Sequence, residues 1–225
     1  MSSLTIAVAL DTERRQKMGR FIGLTAGVYV AAWIIGLFVS PSAPTGSAEA
    51  INEHFVSNHA PALIQSYLVH GIAGLALAGF AILSVHVLKE PGARINRTIL
   101  VSGIGASMIS LVQVVIAQAL FLHVSDGGAA ETTKALFDAI NLTDAAKLLM
   151  LSVFVASVAG AVILTGAASR WTKVLGVTTA ILLPVGGATF VMPSPILTAA
   201  LSVSLPALLV WVGHAAVRMR KAAFV

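Results

Sequence analysis

Apolar residues in this chain neither alternate nor recur on a helical stripe; they come in long, almost unbroken runs. The runs cover about residues 21–40, 65–88, 98–123, 143–165, 171–192 and 196–217. Each reaches roughly 20 residues, enough to cross about 30 Å of hydrocarbon at about 1.5 Å per residue. In lipid every backbone polar group must be satisfied within its own segment, so such runs are predicted to be helices. The expected fold is all-α. It is a polytopic membrane helix bundle of six transmembrane helices over residues 21–217, preceded by a polar arm at 1–20 and followed by a basic tail at 218–225.

The breaks between runs carry their own signals. Only Pro193-Ser194-Pro195 separates the fifth run from the sixth, and two prolines stop a helix and turn the chain. The first run is followed by small residues, as a signal sequence would be. A signal h-region, however, is about 7–15 residues long, so the run is predicted to be a retained span. Residues 41–63 form a long connection. Within it Ser47 is a predicted N-cap, Glu49 falls in the first turn, and Ile51 and Phe55 are four apart on one face. A short interfacial helix is predicted there. Ser125-Asp126-Gly127-Gly128 reads as a turn, with helix resuming near Ala129. Pro184, Gly186 and Gly187 predict a kink in the fifth span.

Composition narrows the class. The 225 residues are 57% hydrophobic and 10% charged, with mean hydropathy +0.93. A water-soluble fold could not cover that much apolar surface. The absence of cysteine excludes disulfides, thiolate metal sites and cysteine nucleophiles. Twelve of the fourteen basic residues fall on one side of a six-span arrangement. They are Arg14, Arg15, Lys17 and Arg20; Lys89, Arg94 and Arg97; Arg170 and Lys173; and Arg218, Arg220 and Lys221. The positive-inside rule makes that side cytoplasmic, so both termini are expected inside, N-in and C-in. The net charge of +5 is spread over span ends, and no nucleic-acid partner is expected.

Polar side chains within hydrocarbon are costly and mark partners or purposes. By depth, His70 on the second span, Gln118 on the third, and Asp144 and Lys147 on the fourth are predicted at one level of the outer half. Asp144 and Lys147 are three apart and share a face. They admit two readings. In one, Asp144 complements a helix N-terminus and Lys147 snorkels to the headgroups. In the other, they form an ion pair in a cavity. Asp144, His70 and Lys147 are the candidate catalytic residues; Gln118, Gln65, His54 and Glu53 are the candidate substrate-binding ones, with His59 also able to cover the site. Gln113 lies about 140° round the helix from Gln118 and is predicted to face elsewhere, as interhelical glue. The histidine spacings match no metal motif and no facing axial pair for haem, so no metal and no cofactor are expected. Gly71, Gly74 and Ala78, and Ser152, Ala156 and Gly160, form small-residue rows that suit helix packing.

The stretches Asp144-Ala-Ala-Lys147-Leu-Leu and Ser169-Arg-Trp171-Thr-Lys-Val-Leu-Gly176 resemble small bacterial integral membrane proteins of families of unknown function. The resemblance covers roughly a third of the chain and implies a bacterial inner (plasma) membrane protein, with no activity attached. From the residues, the leading expectation is a membrane-embedded enzyme. It would apply acid/base chemistry to a lipophilic, isoprenoid-like substrate in an outer-leaflet cavity, in the manner of a terpene-cyclase-like isomerase. A small-molecule or ion transporter or channel, and a non-catalytic accessory or sensor subunit, are the alternatives. The expected partners are the lipid bilayer and a lipophilic small molecule; a homo-oligomer is also open, and as a dimer could supply the pathway of a transporter.

Overall fold

Each of the six apolar runs is helical in the computed structural model, which describes residues 3–88, 92–164 and 169–223. Lys89, one of the basic residues placed inside, and Thr165, the end of the fourth run, lie outside the described residues. Among the described residues seven helices follow one another: α1 (Ser3–Val39), α2 (Ala48–Ser57), α3 (His59–Val87), α4 (Ala93–Ser125), α5 (Ala130–Leu164), α6 (Arg170–Gly187) and α7 (Pro195–Ala223). All but α2 are long and apolar enough to cross a membrane. Among the described residues there is no strand. Except for α6, the spanning helices outrun their apolar stretches, because a helix need not end where hydrocarbon ends. Outside the apolar runs, i, i+4 ion pairs support the exposed turns: Glu13 with Lys17 at 2.8 Å on α1, and Lys134 with Asp138 at 2.5 Å on α5.

The spanning helices form a closed ring. Each packs on the next, and α7 returns to pack on α1. Short connections make neighbours antiparallel. Arg94 and Arg97 therefore open α4, Arg170 and Lys173 open α6, and Arg218, Arg220 and Lys221 end α7, all at one basic end of the bundle. Towards that end aromatic side chains fill the interior. Phe80 of α3 meets Phe154 of α5 edge-on at 5.9 Å, and Phe154 meets Trp211 of α7 at 6.2 Å, all three fully buried. Such pairs add about 0.5–1.5 kcal/mol each beyond their buried area.

At the opposite end α2 lies over the bundle. Ser47 caps it, its hydroxyl accepting from Ala50 N–H at 3.3 Å, and Glu49 sits in the first turn. The local backbone and the Ser47 hydrogen bond hold the Glu49 carboxyl below the ordinary range. Ile51 and Phe55 face inward, and Phe55 packs edge-on against Phe121 of α4 and Phe137 of α5.

Several glycines set helix spacing where any side chain would collide, Gly74 and Gly186 among them. A Cβ on Gly74 would lie 2.9 Å from Ser110 Cβ, and the Ser107 hydroxyl donates to the Gly74 carbonyl at 2.7 Å, locking α3 on α4. A Cβ on Gly186 would lie 2.8 Å from Leu201 Cα, so glycine lets α6 and α7 meet after their proline-containing turn. Pro184 sits inside α6, which gives way to a 3-10 turn at Ala188–Phe190. On α5, Ser152 donates to the Ala180 carbonyl of α6 at 2.5 Å. The outward belt is apolar, with Leu24, Phe38, Val115, Ile181 and Ile196 all exposed. In water such a belt would aggregate; in a bilayer it is the lipid-contacting face.

Candidate functional site

A lysine stands where a core residue would. Lys147 belongs to α5 and is 2% exposed, so its ammonium does not reach the headgroups. Its three protons have three acceptors in reach. Asp144 Oδ1, one turn earlier on α5, lies at 2.5 Å. Gln113 Oε1 of α4 lies at 2.8 Å and His70 Nδ1 of α3 at 3.3 Å. The ring of Trp33 on α1 stands 5.8 Å from Nζ, within cation–π range. Four helices thus meet at one cation.

The hydrogen-bond roles are determined by what each group can do. An ammonium only donates, so His70 Nδ1 accepts, and the neutral ring carries its proton on Nε2. Gln113 is oriented by its other end, since Nε2 donates to the Ile140 carbonyl at 3.2 Å and turns the amide oxygen to Lys147. The lysine and aspartate charges cancel, which is the condition for keeping both in a poorly solvated place.

The backbone adapts where His70 is presented. Residues Tyr67–Ile72 form a π turn inside α3, with the Ala73 N–H reaching back five residues to Leu68. A π turn inserts one extra residue into the helix and re-aims the side chains beyond it, and such bulges recur at functional sites.

A cavity of about 310 Å³ opens above this cluster, towards α2. His70, Asp144 and Lys147 line it, together with Trp33, Phe55 and Phe121. Asp144 keeps 19% of its side chain exposed. The cavity therefore presents an aromatic wall, a carboxylate and an imidazole, on a scale that suits a small amphiphile.

The predicted site residues separate into two groups. His70, Asp144 and Lys147 come together. Gln65 lines the same cavity and donates to the Gly36 carbonyl at 3.1 Å. His54 lines the rim, and partial burial holds its imidazole below the ordinary histidine range. Glu53 is exposed and does not line the cavity. His59 binds the Phe121 carbonyl and the Ser125 hydroxyl, at 3.3 and 3.0 Å. Gln118 is not brought to the cluster; it accepts from the Tyr67 hydroxyl at 2.6 Å on a different face of α4. Gln113, expected to face elsewhere, takes its place. Gln118 meets α3 at Tyr67 and Gln113 meets α5 at Ile140 and Lys147, and which of the two faces the cluster depends on the rotation of α4. Lys147 does not snorkel.

Among the described residues no three of histidine, aspartate and glutamate gather at metal-binding range. No protein-family model, no curated protein and no solved structure matches the chain.

Proposed function

We propose that the chain is a membrane-embedded acid/base enzyme that shifts a proton within a small lipophilic substrate, with its cavity in the outer half of a bacterial inner membrane and both termini inside. The observation that carries the reading is the buried Lys147, held by Asp144, Gln113 and His70 at the floor of an aromatic-lined cavity. Buried ionisable groups in a membrane segment are retained for a use more often than for stability.

The chemistry rests on the available atoms. The Asp144 carboxylate can accept a proton. His70 Nε2–H is a fixed donor with no proton to spare, which suits it to polarise a carbonyl rather than protonate a carbon. A lipophilic, isoprenoid-like ketone or aldehyde with a β,γ carbon–carbon double bond would then isomerise to its α,β-unsaturated form. Asp144 takes a proton from the carbon next to the carbonyl. The bond electrons move onto the carbonyl oxygen, where His70 Nε2–H meets the developing charge and Lys147 lies behind it. The protonated Asp144, which keeps 19% of its side chain exposed and exchanges its proton with water through the cavity, then gives a proton back at the far end of the conjugated system as the electrons return from the oxygen. No oxidant or reductant enters. Exclusion of water strengthens each of these interactions. The Trp33, Phe55 and Phe121 rings would hold the apolar body, and α2 would cover it.

The test begins with what the protein carries. Mass spectrometry of the organic extract of protein purified in mild detergent is expected to show a defined lipophilic carbonyl compound at near-unit stoichiometry. Incubation in D₂O should place deuterium in that compound with the wild type and not with Asp144→Asn. Bulk phospholipid alone in both extracts would overturn the reading.

A further inference from the structure

A second cavity opens from the basic end of the bundle and shares no lining residue with the site above. It is a groove of about 510 Å³ between α1 and α7. Its floor is made of small residues: Gly23, Gly27 and Ala31 on α1, and Gly213 and Ala216 on α7. A Cβ added to Gly23, Gly27 or Gly213 meets nothing within 4 Å. These glycines therefore do not serve the packing of this bundle, unlike Gly74 and Gly186. Two guanidiniums, Arg20 and Arg220, stand at its basic end. Both are exposed, and neither pairs with an acid among the described residues. From Arg20 the groove follows α1 as far as Ile34, about 21 Å of helix at about 1.5 Å per residue.

We propose that this groove is a binding site for an anionic phospholipid of the leaflet at the basic end, with its phosphate on Arg20 and Arg220 and one acyl chain along the glycine floor. The shape and the charge both require an amphiphile: a cationic head at interface depth and an apolar slot that runs inward for the length of a lipid tail. Basic pockets between helices at that depth recognise anionic headgroups. The arginines also decide against a second copy of the chain as occupant. A two-fold axis through the groove would bring four unpaired guanidiniums together at one level, and like charges so placed repel. An anionic lipid neutralises the pair instead, and Arg can meet a phosphate through two parallel N–H bonds.

The experiment uses the full chain in mild detergent, with two probes of identical chains: palmitoyl-oleoyl phosphatidylglycerol and palmitoyl-oleoyl phosphatidylcholine. Native mass spectrometry reads how many lipids stay bound, and a thermal scan reads the stabilisation each lipid gives. The wild type should retain one phosphatidylglycerol in preference to phosphatidylcholine and melt higher with it. Arg20→Gln/Arg220→Gln should weaken that preference about thirtyfold, the factor expected of two interfacial basic side chains. Gly27→Leu fills the slot without touching the head, and should lower retention of both lipids while the protein stays monodisperse. Equal retention of the two lipids by the wild type would overturn the proposal. So would a preference that survives in the double arginine variant, or efficient disulfide cross-linking of Gly27→Cys between two copies.

Discussion

Replacing Lys147 by methionine tests the central cluster most directly. Methionine keeps an unbranched chain of similar length and removes only the charge and its three donors. The Asp144 carboxylate is then left without its cation, beside a Gln113 oxygen and a His70 nitrogen that have each lost a donor. Breaking a buried ion pair from one side costs about 3–5 kcal/mol, and Asp144, 19% exposed, can recover some hydration through the cavity. The lower end, about 3 kcal/mol, is therefore expected. For a chain of this size that corresponds to a fall in Tm of roughly 6–12 °C. The assay is thermal unfolding in detergent, run as a double-mutant cycle with Asp144→Leu and the paired variant. Lys147→Met/Asp144→Leu removes both charges together, so it should recover about 2 kcal/mol or more of the single-variant loss. A Lys147→Met protein within about 1 kcal/mol of wild type, or a paired variant no more stable than the single one, would show that the two charges do not depend on each other in the folded state.

Other consequences are narrower. Asp144→Asn keeps an oxygen that can accept from Lys147 but leaves that buried cation without its counter-charge, so its unfolding free energy should drop by about 3 kcal/mol while deuterium transfer to the ligand disappears. Retained transfer at normal expression would remove Asp144 from the chemistry. Gln118→Leu should leave ligand retention unchanged, since Gln118 serves Tyr67 and not the cavity; a lost ligand would contradict that placement. Ser47→Ala removes the α2 cap, worth about 1 kcal/mol, and should speed amide exchange over residues 48–57 and ligand release together. His54 sits below the ordinary histidine range through partial burial, so the unfolded chain takes up that proton first. Its contribution is full above the unfolded value, about pH 6.5, and is lost as pH falls from there towards the folded value. His54→Gln should flatten that slope in a stability-versus-pH series, and an unchanged slope would assign it to other groups.

How much of this was open to inspection in the residues differs between fold and site. Six spans follow from run length alone, because lipid imposes its demand segment by segment and no partner is needed to meet it. The Asp144–Lys147 pair was equally local, since three residues on one helix bring two side chains to one face wherever the helix goes. The cap at Ser47 belongs to the same class. The membership of the cluster does not. A helix that is apolar all round gives no preference for which side meets its neighbours, because lipid and protein interior are both apolar. The rotation that turned Gln113 inward and Gln118 towards Tyr67 was set by Gly74 closing on Ser110 and Ser107. The π turn at Tyr67–Ile72 has no residue signature, and it places His70 only because α3 is held along its length by α1 and α4. The cavity and the α1–α7 groove are volumes between helices far apart in the chain, so they exist only once the ring has closed.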